Sequence, residues 1–219
     1  MKVAIDGPAG AGKSTIARML ASALGFTYID SGAMYRCVAL ASRERAIAPD
    51  DSETLGRLAE GLEISFTPVE NGQRVILDGT DVTEAIRTPD ISALASRVSV
   101  HPPVRTAMVA LQRALGARVN CVMEGRDIGS VVFPDAEKKV FLTASPAERA
   151  RRRWEDLKAR GDSTTTLDDV LADLAERDRR DAERETSPLV RADGAIEVIT
   201  DGLTPPQLVQ KLVEWVQAP

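Results

Sequence analysis

The sequence predicts an α/β fold in three layers: a five-stranded parallel sheet flanked by helices, a small inserted antiparallel β module and a helical arm. Three observations predict it. Five short apolar runs read as buried parallel strands: Lys2–Ile5, Phe26–Ile29, Val119–Met123, Lys139–Leu142 and Ala195–Ile199. Helical patterns lie between several of them, as crossover connections require. Between about Leu62 and Glu84 that rhythm breaks into alternation and turn signals, which marks an insert.

The elements follow in order. The first helix runs from about Gly12 to Leu24, with Ile16, Met19, Leu20, Ala23 and Leu24 on one face, and Gly25 stops it. Gly32 to about Arg43 reads as a second helix. In the insert, Leu62–Phe66 alternates, Asn71-Gly72 offers a hairpin turn, Val75–Leu77 follows and Asp78-Gly79 is another turn signal. Helices are expected near Asp90–Val98 and Pro103–Leu115. After the fourth strand comes an Arg-rich helix, Ala147 to about Lys158, then a polar loop over Arg160–Thr166. A charged helix from Leu167 to about Glu185 follows, with Leu167, Val170, Leu171 and Leu174 as its apolar face and Ser187-Pro188 as its end. The last helix, Pro205–Val216, packs Leu208, Leu212 and Trp215.

The composition narrows the function. A chain of 219 residues and 23.6 kDa suits one domain, 1–219, carrying an insert. With 43% apolar and 28% charged residues it buries a core and is not disordered. No apolar run approaches ~18 residues, so no membrane span is expected. Aromatics at 4% disfavour a stacking platform for single-stranded nucleic acid. The net charge of −5 disfavours binding to DNA, which needs a basic surface. Cys37 and Cys121 read as small buried hydrophobes, and Met1-Lys2 runs straight into the first strand without a secretory segment; a cytoplasmic location is expected. Arg outnumbers Lys 22 to 6, which is either a composition bias or a demand for guanidinium forks on phosphate oxygens. His101 is the one histidine and reads as a loop residue, so chemistry built on histidine is nearly excluded.

Gly7-Pro8-Ala9-Gly10-Ala11-Gly12-Lys13-Ser14 matches G-x-x-x-x-G-K-[ST], directly after a strand and opening an amphipathic helix. Glycines let backbone N–H groups turn inward, the helix N-terminus adds positive potential, Lys13 reaches β- and γ-phosphates, and Ser14 can sit on Mg²⁺. The fold is therefore expected to be of the P-loop NTPase type, with ATP and Mg²⁺ bound. A guanine-reading N-K-x-D is missing and the chain is short for a large ATPase. A small chain with an Arg-rich helix–loop–helix after the fourth strand suggests a nucleoside monophosphate kinase or a close relative, whose lid closes over the phosphates and excludes water.

Three further segments agree. Asp30-Ser31-Gly32-Ala33-Met34-Tyr35-Arg36 follows the second strand. Glu124-Gly125-Arg126-Asp127-Ile128-Gly129-Ser130-Val131-Val132-Phe133-Pro134 follows the third. Glu176-Arg177-Asp178-Arg179-Arg180-Asp181, with Arg184 and Pro188-Leu189, lies on the lid side. With the P-loop, they make the chain resemble the bacterial cytidylate kinase family over nearly its whole length.

The resemblance implies transfer of the ATP γ-phosphate to CMP or dCMP. It implies a module at about 60–115 that binds the nucleoside monophosphate, a lid at about 147–186, and small-molecule partners only, with no nucleic acid and no membrane; a monomer is expected. It implies that Gly7 to Thr15 hold the ATP phosphates. Ser31 and Arg36 would lie at the acceptor nucleotide, Ser96 and Arg105 at its base. Arg126 would grip phosphate and Asp127 would meet cytosine, while Arg177, Asp181 and Arg184 would reach phosphate and sugar. The catalytic set is then Lys13, Arg126, Asp127, Arg177 and Arg184.

The residue types support part of this without the resemblance. Cytosine presents an N4 amino donor, which Asp127 or Ser96 can accept and which uracil lacks. Arg177, Asp181 and Arg184 fall at i, i+4 and i+7, one helical face; Arg149, Arg152 and Arg153 cluster likewise and could neutralise a transferring phosphoryl group. Arg149 and Arg153 are candidates to bind ATP. Each Arg cluster could equally be a solvated face of surface ion pairs, Tyr35 a core-edge aromatic, and Asp6 a structural carboxylate rather than one near Mg²⁺. Two other functions stay open: a P-loop kinase for another small acceptor such as UMP or shikimate, and a nucleotide-binding module without transferase chemistry.

Overall fold

The computed structural model describes residues 1–69, 72–159 and 161–218. The chain forms two compact units, Met1–Tyr28 with Asn120–Pro219, and Ile29–Val119. The first holds β1 (Lys2–Asp6), the start of β2 (Thr27–Asp30), β6 (Cys121–Gly125), β7 (Lys138–Thr143) and β8 (Ile196–Ile199), and the sheet order is β2-β6-β1-β7-β8. β1 pairs in parallel with β6 and β7, and β7 with β8. Val3, Ala4 and Ile5 are wholly buried, as a central parallel strand covered on both faces must be. α1 (Lys13–Leu24) and α8 (Pro205–Gln217) bring Ile16, Leu20, Leu208 and Leu212 against Val3, Ile5, Val122, Val140 and Leu142. Gly25 ends α1 at φ 67°, a left-handed cap that an L side chain would strain.

Beyond β7 lie α6 (Pro146–Ala159) and α7 (Leu167–Glu183), joined by a loop whose Arg160 is outside the described residues. Thr166 and Asp169 close a capping box at the start of α7. Val170 and Leu174 pack on Ala9 and Ala150, with Trp154 and Leu157 alongside. Leu167 and Leu171, expected on the same apolar face, are 41% and 39% exposed. The apolar patch they would have joined is narrow, so only the central stripe of α7 finds cover. α7 also stops at Glu183, short of the expected Glu185, and Arg184 is its extended cap (φ −64°, ψ 138°). The i, i+4, i+7 face therefore does not include Arg184.

The second unit contains α2 (Ser31–Glu44), α3 (Ser52–Glu60), β3 (Ile64–Val69), β4 (Gly72–Leu77), β5 (Thr80–Asp81), α4 (Pro89–Val98) and α5 (Pro102–Gly116). The three strands form an antiparallel sheet in the order β3-β4-β5. Asn71 of the expected hairpin turn lies outside the described residues. The unit has its own core, with Met34, Cys37, Val38, Leu55, Ile86, Ile91, Val98, Val104 and Met108 buried. α2 starts where the Asp30 carboxylate accepts from Ala33 N at 2.8 Å, and α3 where Asp51 accepts from Thr54 N at 3.1 Å. α3 was not expected; its nine residues carry one short apolar stripe, Leu55, Leu58 and Ala59, behind a turn-like Pro49-Asp50-Asp51. Among the described residues no helix is long and apolar enough to cross a membrane.

Candidate active site

The phosphate loop leaves β1 and enters α1 through glycines at φ 149° (Gly7), 77° (Gly10) and 87° (Gly12). A Cβ on Gly7 would run into the Leu142 carbonyl oxygen, so the neighbouring strand dictates glycine there. Lys13 is 5% exposed, and its Nζ donates to the Pro8 carbonyl at 2.7 Å, inside the arc of the loop. Burial, reinforced by the nearby Arg126 cation, pulls its pKa down to about 7. A cation so penalised is a receptor for an anion: a phosphate would stabilise the charge that the protein alone holds poorly. The loop thus fits the polyphosphate that its spacing predicts. Ser14 and Thr15 are exposed at the start of α1.

β6 supplies a carboxylate beside the loop. Glu124, opposite Ile5 in the sheet, is buried and accepts from Ser14 Oγ at 2.5 Å and from Tyr28 at 3.4 Å. A hydroxyl and a carboxylate are hard oxygen donors of the kind Mg²⁺ takes while keeping water and phosphate as its other ligands. No group of three or more His, Cys, Asp or Glu that could enclose a metal exists among the described residues. The sequence pattern assigns Glu124 no role of its own. Its signal was an acidic residue ending an apolar strand that neighbours the phosphate loop.

Arginines converge around Asp181. Arg126 Nε donates to Asp181 Oδ2 at 2.8 Å, and Arg184 Nη1 lies 3.7 Å from Asp181 Oδ1. Burial pushes the Asp181 carboxyl up, but Arg126 and Arg184 overcome it and hold it below its ordinary value. Burial works against the charge of Arg126, and Asp181 and Glu124 more than restore it. Arg177 lies in the same neighbourhood: burial and the Arg126 charge lower its pKa, with Asp181 and Asp173 opposing and Arg153 adding to the repulsion. Its Nε is buried without a hydrogen-bond partner among the described residues. Arg184, though off the helix, keeps its place by donating from Nε to the Ser187 carbonyl at 2.6 Å.

The α6 arginines divide. Arg149 is buried and donates to the Ala144 and Ala9 carbonyls, each at 3.1 Å, and to Asp178 at 2.5 Å. Its Nε and Nη1 are thus taken by the protein itself. Arg152 binds Glu148 and the Thr200 hydroxyl and carbonyl. Arg153 is half-buried.

Asp127 is buried at the start of a π-helical turn over Ile128–Val132. In the other unit Ser31 opens α2 and is buried, and Arg36 Nη2 pairs with Asp30 at 2.8 Å. Ser96 is buried on α4; Arg105 on α5 is 2% exposed, donates to the Ser99 carbonyl at 3.2 Å and stacks over Tyr35 with 5.4 Å to the ring centre. A desolvated Arg with an aromatic ring and a backbone carbonyl is a fixed planar donor, suited to recognition more than to solvent.

Known proteins point the same way. The model of the cytidylate kinase family matches residues 3–218. The chain is 49% identical over 216 residues to a cytidylate kinase of Carboxydothermus hydrogenoformans, covering 99% of this chain and 97% of that one. It is also 49% identical over 215 residues to a cytidylate kinase of Geobacter sulfurreducens, covering 98% and 92%. A bifunctional pantoate ligase/cytidylate kinase of Synechococcus is 50% identical over 203 residues, 92% of this chain and 41% of that protein. The chain spans less than half the length of such bifunctional relatives. Among solved structures, a shikimate kinase from Bacteroides thetaiotaomicron shares the fold at 15% identity, with a TM-score of 0.50 over 100% of this chain and 99% of that one. A phosphate loop with a buried lysine, an Arg-Asp turn after the third sheet strand and a near full-length match to the family model lead to one conclusion: the chain belongs to the cytidylate kinase family.

Proposed function

We propose that the protein transfers the γ-phosphoryl group of ATP to CMP or dCMP, giving ADP and CDP or dCDP, as a cytoplasmic monomer. The observation that carries it is the buried Lys13 within the phosphate loop, with the half-buried Arg126 close enough to act on its charge and Arg177 next to Arg126, in a chain of this family. The acceptor's terminal oxygen is largely ionised at neutral pH (second pKa about 6), so no general base is required. Catalysis is then alignment and charge neutralisation.

Gly7 to Thr15 hold the ATP phosphates, and Lys13 follows the charge that moves between them. Ser14 and Glu124 are the residues that would hold Mg²⁺, directly or through its water. When bound, that ion screens the negative charge of the β- and γ-phosphates. Arg126, Arg177 and Arg184 neutralise the transferring group, with Asp181 keeping them in place. Asp127 accepts from the cytosine amino group. Ser31, Arg36, Ser96 and Arg105 serve the acceptor nucleotide. Arg149 holds the loop through Nη1, anchored by Nε on the Ala144 carbonyl, and with Arg153 it serves the ATP side.

A panel of nucleoside monophosphates and shikimate, each assayed with ATP and Mg²⁺ by coupled ADP release, tests this. CMP and dCMP should exceed all others by at least tenfold. Equal turnover of UMP would remove the base-reading role of Asp127. ATP binding without turnover of any acceptor would leave a binding module.

A further inference from the structure

Asp6, the last residue of β1, is 2% exposed. Its Oδ1 accepts from Ile128 N at 2.8 Å and its Oδ2 from Gly129 N at 2.7 Å. These are the opening donors of the π-helical turn that follows Arg126-Asp127, and a helical turn leaves such donors without internal partners. The residue at the capping position, Asp127, has the right chemistry for the task, yet its side chain makes no capping hydrogen bond. A carboxylate from another strand caps the turn in its stead. Asp127 is held on its other side as well, because its carbonyl accepts from Val131 N at 2.9 Å and Val132 N at 3.1 Å. Asp6 also stands opposite Gly125 in the sheet, so one residue spans the bend from β6 into the turn. Space is tight there: a Cβ on Gly129 would lie 3.4 Å from Asp6 Oδ2 and 3.3 Å from both the Ala192 Cβ and the Lys139 Cδ.

We propose that Asp6 is a positioning residue for acceptor selection: its carboxylate caps the 128–132 turn and thereby fixes the direction in which Arg126 and Asp127 present their side chains. The inference rests on the cytidylate kinase reading. It gives the carboxylate before the phosphate loop a task on the acceptor side of the reaction. Both oxygens are engaged, one by each N–H group.

The test is Asp6→Asn in the full chain. The amide offers one acceptor and turns an NH₂ group toward the second N–H. The KM for CMP should rise at least tenfold and the preference for CMP over UMP should fall by a similar factor, with the KM for ATP within twofold of the original. Misplacement of about 1 Å at a reacting group can cost on the order of 10²-fold, so such losses are in range. A KM for CMP and a CMP/UMP ratio both within twofold of the original would overturn the proposal. So would a loss confined to ATP, which would assign Asp6 to the phosphate loop. If Asp6→Asn does not fold, Gly129→Ala decides: it leaves the carboxylate in place but displaces the turn, and the same selective loss is expected, while unchanged selectivity overturns the inference. If the original protein turns over no CMP, the cytidylate reading fails by itself. Amide hydrogen exchange then judges Asp6: faster exchange at residues 128 and 129 in Asp6→Asn supports the cap, and unchanged exchange refutes it.

Discussion

Arg149 Nη1 donates to the Ala9 carbonyl at 3.1 Å, across 140 positions of sequence, and the same guanidinium meets Asp178 of α7 at 2.5 Å. The crest of the phosphate loop is thereby tied to the lid-side helix through one buried side chain. Gly10 fits against the same residue, where an added Cβ would lie 3.0 Å from the Arg149 Cβ. Arg149→Ala should raise the ATP dissociation constant about tenfold by calorimetry. It should also lower stability by about 1–3 kcal/mol in denaturant unfolding, because the half-buried Asp178 loses its partner. Arg149→Lys keeps the charge without the fork and should fall between. Full ATP affinity in the Ala variant would show that the tie is dispensable.

Glu124→Gln isolates the metal contribution. A neutral amide still reaches Ser14 but attracts a divalent cation weakly. Removing a group that orients a metal costs about 10–100-fold in affinity. The Mg²⁺ concentration for half-maximal activity should rise accordingly, while ATP binding without metal changes less than threefold. Identical Mg²⁺ titrations of the two proteins would take Glu124 out of the metal site.

Lys13 gives a proton-linked signature. With its pKa lowered to about 7 by burial and by Arg126, the lysine is largely neutral at pH 8 in the ligand-free protein. A bound phosphate raises that pKa, so ATP binding at pH 8 should draw a proton from solution. At pH 6 the lysine is already charged and the uptake should vanish. Calorimetry in two buffers of different ionisation enthalpy measures it; uptake that is equal at both pH values would contradict the assignment. Lys13→Ala should abolish the pH 8 uptake and lower turnover by about 10²–10³-fold.

Asp127→Asn should weaken discrimination of cytosine from uracil, since an amide can donate to the uracil carbonyl as well as accept from the cytosine amino group. The ratio of kcat/KM for CMP and UMP should fall by at least tenfold, worth about 1.4 kcal/mol. An unchanged ratio would move base reading to Ser96 or Arg105.

The parts of this molecule that could be read in advance are those whose cause is local. Val3-Ala4-Ile5 announces a strand covered on both faces because nothing polar interrupts it. The phosphate loop is legible because all its determinants lie in eight consecutive residues. What escaped depends on partners distant in sequence. The tie from Arg149 to the phosphate loop could not be read in advance because the Ala9 carbonyl that takes its hydrogen bond lies at the other end of the chain. Arg184 looked helical because periodicity does not reveal where α7 stops, and the turn that redirects the chain, Leu189 N to the Asp181 carbonyl at 2.7 Å, is made by residues beyond the pattern. α3 was missed because nine residues barely exceed two turns, and a helix that short draws its stability from packing on Leu55, Leu58 and Ala59 more than from its own propensity.

Thr27 N donates to the Asn120 carbonyl at 2.9 Å, so the stretches where the chain departs for 29–119 and returns are hydrogen-bonded neighbours. Whatever follows β2 in that interval need only begin and end side by side; beyond Asp30 its length and internal design are otherwise unconstrained by the sheet. Lengthening such a loop adds little closure entropy, about 0.6 kcal/mol per doubling. The arrangement works as a socket: one continuous stretch of gene can be exchanged while the strands on either side keep their pairing.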